Sequence, residues 1–99
     1  MNGRTESDIP RLNPARIERM RALLTEAFAP QLLEIEDDSH KHAGHAGGQH
    51  GHGHFGVRIV SAAFVGMPPL ARHRAIYAAL GEMMVEDIHA LRIEAQAPV

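Results

Sequence analysis

Residues 54–64 read HFGVRIVSAAF, and this stretch decides the fold. Apolar side chains occupy every second position from Phe55 to Ile59, with Arg58 on the opposite side, which is the two-residue period of a β-strand. The residues that follow, as far as Phe64, are mostly apolar, which is typical of a central strand with a well-covered face. The pattern therefore predicts the centre of a sheet, with other elements packed against one side.

A helix and a strand are predicted before this stretch. Asn13 and Pro14 are typical of the N-cap and first residue of a helix, along which apolar residues recur at helical spacing as far as Phe28. Residues 33–36 alternate apolar and acidic side chains, as in a half-buried strand. Residues 1–12 are polar and are predicted to form a flexible extension.

Between the two strands lie residues 40–53, HKHAGHAGGQHGHG, which contain five Gly and five His and are predicted to form a long loop. Pro68 and Pro69 then mark the start of a second long helix. The predicted apolar face of this helix contains Leu70, His73, Tyr77, Leu80 and Met84, with Ile76 and Met83 beside it. A third strand follows, with one face formed by His89, Leu91, Ile93 and Ala95.

The predicted element order is α-β-β-α-β. The loop makes the first two strands antiparallel, and the second helix is a crossover that makes the second and third strands parallel and is right-handed in about 98% of such units. Residues 13–97 are therefore predicted to form one two-layer α/β domain: a three-stranded mixed sheet with helices on one face.

Composition excludes several classes of protein. The 99 residues are 44% hydrophobic and 22% charged, and no apolar run approaches the ~20 residues of a membrane span. The N-terminal residues do not resemble a signal peptide and the chain has no cysteine, so a cytoplasmic protein without disulfides or a Cys nucleophile is expected. No Ser/His/Asp or paired-carboxylate arrangement falls at loop positions that could assemble a catalytic site, so no enzyme is predicted.

Charge is distributed unevenly along the chain. The net charge is −2, yet no Asp or Glu occurs between Ser39 and Gly81, a segment that holds seven of the eight histidines. Lys41, Arg58 and two further arginines lie in the same segment. We expect this segment to attract an anion or an acidic partner.

Several short motifs, taken in order, resemble the BolA family. They are Asp38-Ser39 with His42, His54-Phe55, Ile59-Val60-Ser61, Phe64-x-Gly66, Arg72-His73-Arg74 and His89-Ala90-Leu91. The resemblance covers about residues 13–97 and implies the α-β-β-α-α-β arrangement of a class II KH-like fold. It also implies a non-enzymatic adaptor that shares a [2Fe–2S] cluster with a monothiol glutaredoxin and glutathione, in iron–sulfur trafficking or iron and redox sensing.

The resemblance also implies which histidines ligate the cluster. His89 matches the family's His-Ala-Leu motif, and His42 matches its loop ligand, with His45 and His40 as substitutes. The alternatives are a buried, backbone-bonded role for His89 and a solvated role for the loop histidines. The His-rich loop could also capture Zn²⁺, Ni²⁺ or Cu²⁺ adventitiously, because imidazole suits all three ions.

Arg72, His73 and Arg74 are predicted to bind a partner or nucleic acid. His73 is expected to pack inward, with the two arginines flanking it toward solvent. The alternative function is therefore a DNA-binding regulator of stress response and cell morphology, which would use the helix-turn-helix-like segment 64–84. Alanines on that helix offer little for base readout. We expect a monomer or a weak homodimer, with no membrane partner.

Overall fold

The computed structural model of the chain describes residues 4–38 and 53–99, with side chains from residue 14 onward. The predicted loop ligands His40, His42 and His45 lie outside the described residues. The elements in chain order are α1 (Arg4–Phe28), β1 (Leu32–Asp37), β2 (Gly53–Val60), a short 3₁₀ helix (Ala62–Phe64), α2 (Pro69–Leu80), α3 (Met83–Glu86) and β3 (Ile88–Gln96).

The sheet has the predicted topology. Its strand order is β1-β2-β3, with β1 antiparallel and β3 parallel to the central strand β2. The α-β-β-α-α-β order and the three-stranded mixed sheet are confirmed. In the parts of the chain described, no helix combines the length and apolar character needed to cross a membrane.

The core lies between one face of the sheet and the two long helices. The apolar residues Phe55, Val57 and Ile59 of β2 are buried, as the sequence predicts, and they belong to one cluster with buried residues of α1 and α2. Its main members are Phe55, Val57, Ile59, Met20, Leu24, Ile76 and Leu80. The other face of the sheet carries the charged residues of the strands, including Glu34, Arg58 and Glu94.

The first helix begins at Arg4, earlier than the predicted start at Asn13 and Pro14. Proline fixes φ near −65°, which a helix uses, and it removes one backbone donor. The helix continues through Pro14 despite the lost donor, and the predicted boundary is wrong.

The central strand ends at Val60, so the prediction that it continues to Phe64 is also wrong. The hydroxyl Oγ of Ser61 accepts a bond from the backbone N of Ala63 at 3.0 Å and donates to the carbonyl O of Phe28 at 2.7 Å. A serine at this position caps a helical turn and competes with strand pairing. Phe64 therefore lies in a short 3₁₀ helix instead of the strand, and its side chain is buried.

The face of α2 that packs inward differs from the predicted one. Ile76 and Leu80 are buried, whereas Leu70 is 61% exposed and Tyr77 is 42% exposed. Apolar residues, including several alanines, occur on most sides of this helix, so the sequence pattern does not single out one face. The packing of α2 against α1 and β3 makes the choice, and His73 is half-buried rather than part of the core.

Candidate metal-binding cleft

A cleft of about 480 Å³ lies at the end of the sheet where β1 ends and where β2 and β3 begin. Its polar lining comes from Asp38, His54, His89 and Arg92, one or two from each strand end. These groups are far apart in sequence and meet because the three strands are aligned side by side. We call this surface the cleft.

A β-bulge at the start of β3 turns His89 away from the face predicted for it. Gly53 pairs with Ile88, but the next residue, His54, pairs with Ala90, so His89 has no opposite residue in β2. A bulge bends the strand and re-aims a side chain, which is why bulges are frequent beside functional sites. His89 is exposed, and the prediction that it shares the apolar face of Leu91 is wrong.

The ring of His89 lies against the ring of His54. The two ring centroids are 4.9 Å apart and the ring planes are inclined by 49°. His54 is only 8% exposed, whereas His89 faces solvent. The cleft therefore presents one accessible imidazole supported by a buried one.

Backbone bonds fix the strand that carries His54. The N–H of Asp38 donates to the carbonyl of His54 at 2.7 Å, and the N–H of Gly53 donates to the carbonyl of Asp87 at 2.9 Å. Asp87 is itself held by the Nε of Arg16, at 3.2 Å from Oδ1, in a largely buried ion pair. Helix α1 is thus tied to the turn that precedes the bulge.

Gly53 is required by the packing of Phe55. A Cβ on Gly53 would overlap a ring carbon of Phe55, because it would lie closer than two non-bonded carbon atoms can approach. Because the Phe55 ring belongs to the core, it cannot move away without opening a cavity. In the sequence Gly53-His54-Phe55, the glycine therefore leaves space for the core ring, and the histidine lies on the other side of the strand.

Arg92 crosses the sheet over a second glycine. Its Nη2 donates to Oε1 of Glu36 at 2.8 Å and to Oδ2 of Asp38 at 2.9 Å, so β3 is linked to β1 across the central strand. Gly56 pairs with both Glu36 and Arg92, and a Cβ there would lie 2.1 Å from Nη2. The hydrogen bonds to Asp38 and then Glu36 raise the pKa of Arg92, so it stays charged.

This arginine bridge was not predicted from the sequence. Its one sequence signal is Gly56 itself, because a glycine inside a regular strand pattern often marks a close approach of another group. Arg92 lies on β3, Glu36 on β1 and Asp38 directly after β1, so the three residues form no local sequence pattern.

Only one of the predicted ligands, His89, is found in the cleft among the residues described. Within residues 14–38 and 53–99, no group of three or more His, Asp or Glu side chains is placed to hold a metal ion. The described residues of the cleft therefore do not by themselves form a complete metal site.

The predicted partner-binding residues do not line the cleft. Arg72 was expected to face solvent, but its Nε donates to the carbonyl of Met67 at 2.8 Å and its Nη1 to that of Ala95 at 3.0 Å. It therefore joins the start of α2 to the end of β3, and the expectation for it is wrong. Arg74 is exposed as predicted.

Comparison with known proteins identifies a family. The family model described as BolA-like protein matches residues 24–99. BolA-like protein 1 from Mus musculus is 43% identical over 80% of this chain, which spans 56% of that protein. The DNA-binding transcriptional regulator BolA of Escherichia coli is 41% identical, and the match covers 77% of this chain and 70% of that protein.

A solved structure is similar in fold as well as in sequence. The BolA domain of SufE1 from Arabidopsis thaliana superimposes with a TM-score of 0.72, at 42% identity, over 82% of this chain and 90% of that one. The names of the mouse and bacterial relatives describe a BolA-like protein and a regulator, not an enzyme.

Proposed function

The chain belongs to the BolA family, and from that premise we propose that it is a cytoplasmic, non-enzymatic adaptor that binds a monothiol glutaredoxin and shares a [2Fe–2S] cluster with it. Its role would be iron–sulfur trafficking or iron and redox sensing. The observation that carries this proposal is the exposed imidazole of His89, placed by the bulge at the mouth of the cleft.

The donor set supports a site shared between two molecules. Iron–sulfur clusters are usually held by thiolates, and histidines replace two of them in Rieske centres. This chain has no cysteine, and its described residues include no complete ligand set. The missing thiolates would come from the glutaredoxin and from glutathione.

His89 would supply one ligand and the loop a second. For the loop we propose His42, with His45 or His40 as substitutes. Histidine ligation would raise the reduction potential of a bound cluster, and it requires the neutral imidazole. Loading should therefore be favoured as the pH rises. Capture of Zn²⁺, Ni²⁺ or Cu²⁺ by the His-rich loop would compete with loading.

The test is anaerobic reconstitution of the chain with a monothiol glutaredoxin, iron, sulfide and glutathione, followed by the visible absorption and circular dichroism of the mixed complex. We expect His89→Ala to abolish the spectrum of the mixed cluster. Glu18→Ala is the control, because Glu18 is an exposed residue of α1 outside the cleft and should leave the spectrum unchanged. Equal spectra for His89→Ala and the unmodified chain would contradict the proposal.

The loop ligand is tested in the same complex. His42→Ala should shorten the lifetime of the cluster more than it lowers the yield, because neighbouring histidines can replace His42. Replacement of His40, His42 and His45 together should make the cluster markedly more labile. An unchanged lifetime in the triple variant would remove the loop from the ligand set.

A second candidate function is DNA binding, which the name of the Escherichia coli relative supports. Of the two arginines proposed for it, Arg74 is exposed, whereas Arg72 is bonded to backbone carbonyls. The test is a titration of promoter and scrambled duplexes at several salt concentrations. If Arg74 contacts a phosphate, Arg74→Glu should reduce the slope of log affinity against log salt by about one. A promoter preference above about a thousandfold, lost in Arg74→Glu, would make transcription the primary function.

A further inference from the structure

The bulge gives His89 access to a ligand but weakens what holds its side chain in place. An exposed side chain on a bulged residue lacks a neighbour directly opposite on the adjacent strand, and such neighbours normally restrict rotamers. A metal that binds His89 in only one of several rotamers binds more weakly, because the His89 side chain loses conformational entropy on binding. A neighbouring group that orients the imidazole beforehand would reduce this cost.

We propose that His54 is a positioning residue, whose buried ring holds the imidazole of His89 in one orientation for metal ligation; this inference rests on the proposed function. The ring contact at 4.9 Å is the direct observation. Replacing a residue that fixes the orientation of a metal ligand typically lowers metal affinity by about 10–100-fold.

His54 is suited to this role because it is itself fixed. It lies on the central strand, and its backbone carbonyl accepts the bond from Asp38. The next residue, Phe55, is locked in the core, and Gly53 before it is bonded to the turn at Asp87. With only 8% of its surface exposed, the His54 ring has little freedom to move.

The role assigned to His54 is packing, not ligation. Its ring is buried, and the described residues provide no third ligand with which the two histidines could complete a metal site. Packing and ligation by His54 predict different outcomes for its replacement by phenylalanine. Phenylalanine keeps an aromatic ring of similar width and has no nitrogen, so His54→Phe should preserve the function if His54 acts by packing and abolish it if His54 is a ligand.

The first measurement uses the chain alone, without partner or metal. Three-bond couplings between the Cγ of His89 and its backbone N and carbonyl C report the χ1 rotamer population by NMR. We expect a single dominant rotamer in the unmodified chain and in His54→Phe, and averaged couplings in His54→Ala. His54→Val, which suits a strand and lacks a ring, is the second variant and should also give averaged couplings.

The second measurement is the lifetime of the cluster in the mixed complex with glutaredoxin. His54→Phe should match the unmodified chain within a factor of two, and His54→Ala should shorten the lifetime about tenfold, the lower end of the effect known for residues that orient metal ligands. Val57→Ala is the control for general destabilisation, because Val57 is a buried residue of the same strand on the opposite face. It should leave the His89 couplings unchanged.

The two measurements separate this inference from the proposed function. If no mixed cluster forms in the unmodified chain, the proposed function fails, while the couplings of His89 still test the role of His54. Couplings that stay unaveraged in both His54→Ala and His54→Val would overturn the inference. Loss of the cluster in His54→Phe with unchanged His89 couplings would also overturn it, because His54 would then be a ligand.

Discussion

Two regions of the chain carry histidines or arginines within sequence motifs. One is the end of the sheet that forms the cleft, and the other is the segment from Ser61 to Leu80. In the second segment the leading arginine, Arg72, is bonded to the carbonyls of Met67 and Ala95 and so helps to hold the fold together. In the cleft, His89 is exposed on a bulge and contributes nothing to the core. A motif residue that the fold does not need is the stronger candidate for binding.

The two regions should differ most in the effect of replacing Phe64 or His89 by alanine on the free energy of unfolding. Phe64 is fully buried and its ring packs on that of Phe28 at 5.0 Å, so Phe64→Ala should lower the free energy of unfolding by about 3–5 kcal/mol. His89→Ala should change it by less than about 0.5 kcal/mol, as for most surface substitutions. Urea denaturation followed by circular dichroism measures both. A strong destabilisation by His89→Ala would assign that residue a structural role.

Arg72 and Arg74 test the comparison within one motif. Arg72→Ala removes two charge-assisted bonds to backbone carbonyls, and because the site is only half-buried we expect a loss of about 2 kcal/mol. Arg74→Ala, at an exposed position of the same helix, should cost less than about 0.5 kcal/mol. The urea midpoint should shift for Arg72→Ala with an unchanged slope. Equal midpoints for the two variants would show that the bonds of Arg72 are not structural.

The fold was predictable because the sequence patterns that indicate its helices and strands are local. The alternation along β2, the acidic and apolar alternation in β1 and the paired prolines before α2 each act within a few residues, and together they give the topology. The errors occur where a longer-range contact decides. Ser61 ends β2 because it can bond to Phe28, on the preceding helix. The buried side of α2 is chosen by α1 and β3, against which the helix packs.

The site was predictable only in part, for the same physical reason. His89 was identified from its resemblance to a family motif, but its exposure depends on a bulge, and the alternation of β3 continues on both sides of that bulge without a visible break. The contact with His54 and the arginine bridge to Asp38 join separate strands, so they leave no pattern in any one segment. The loop histidines lie outside the described residues and remain predictions.

The smallest expected effect concerns the arginine bridge at the cleft and its glycine. In a strand, alanine is usually more stable than glycine by roughly 0.5–1 kcal/mol because glycine loses more entropy on folding. At Gly56 a new Cβ would meet the guanidinium of Arg92 at 2.1 Å, so Gly56→Ala has to displace that side chain from Asp38 and Glu36. We therefore expect Gly56→Ala to destabilise the chain.

The same substitution should have the opposite sign once the arginine is removed. In an Arg92→Ala background the new methyl group meets no guanidinium, so Gly56→Ala should stabilise the chain by about 0.5–1 kcal/mol. A double-mutant cycle in urea measures the coupling between the two positions, which are in contact and should not be additive. Additivity would mean that Arg92 does not lie over Gly56 in solution. A reversal of sign would show that this glycine makes room for the guanidinium of Arg92, which bonds to Asp38 in the cleft.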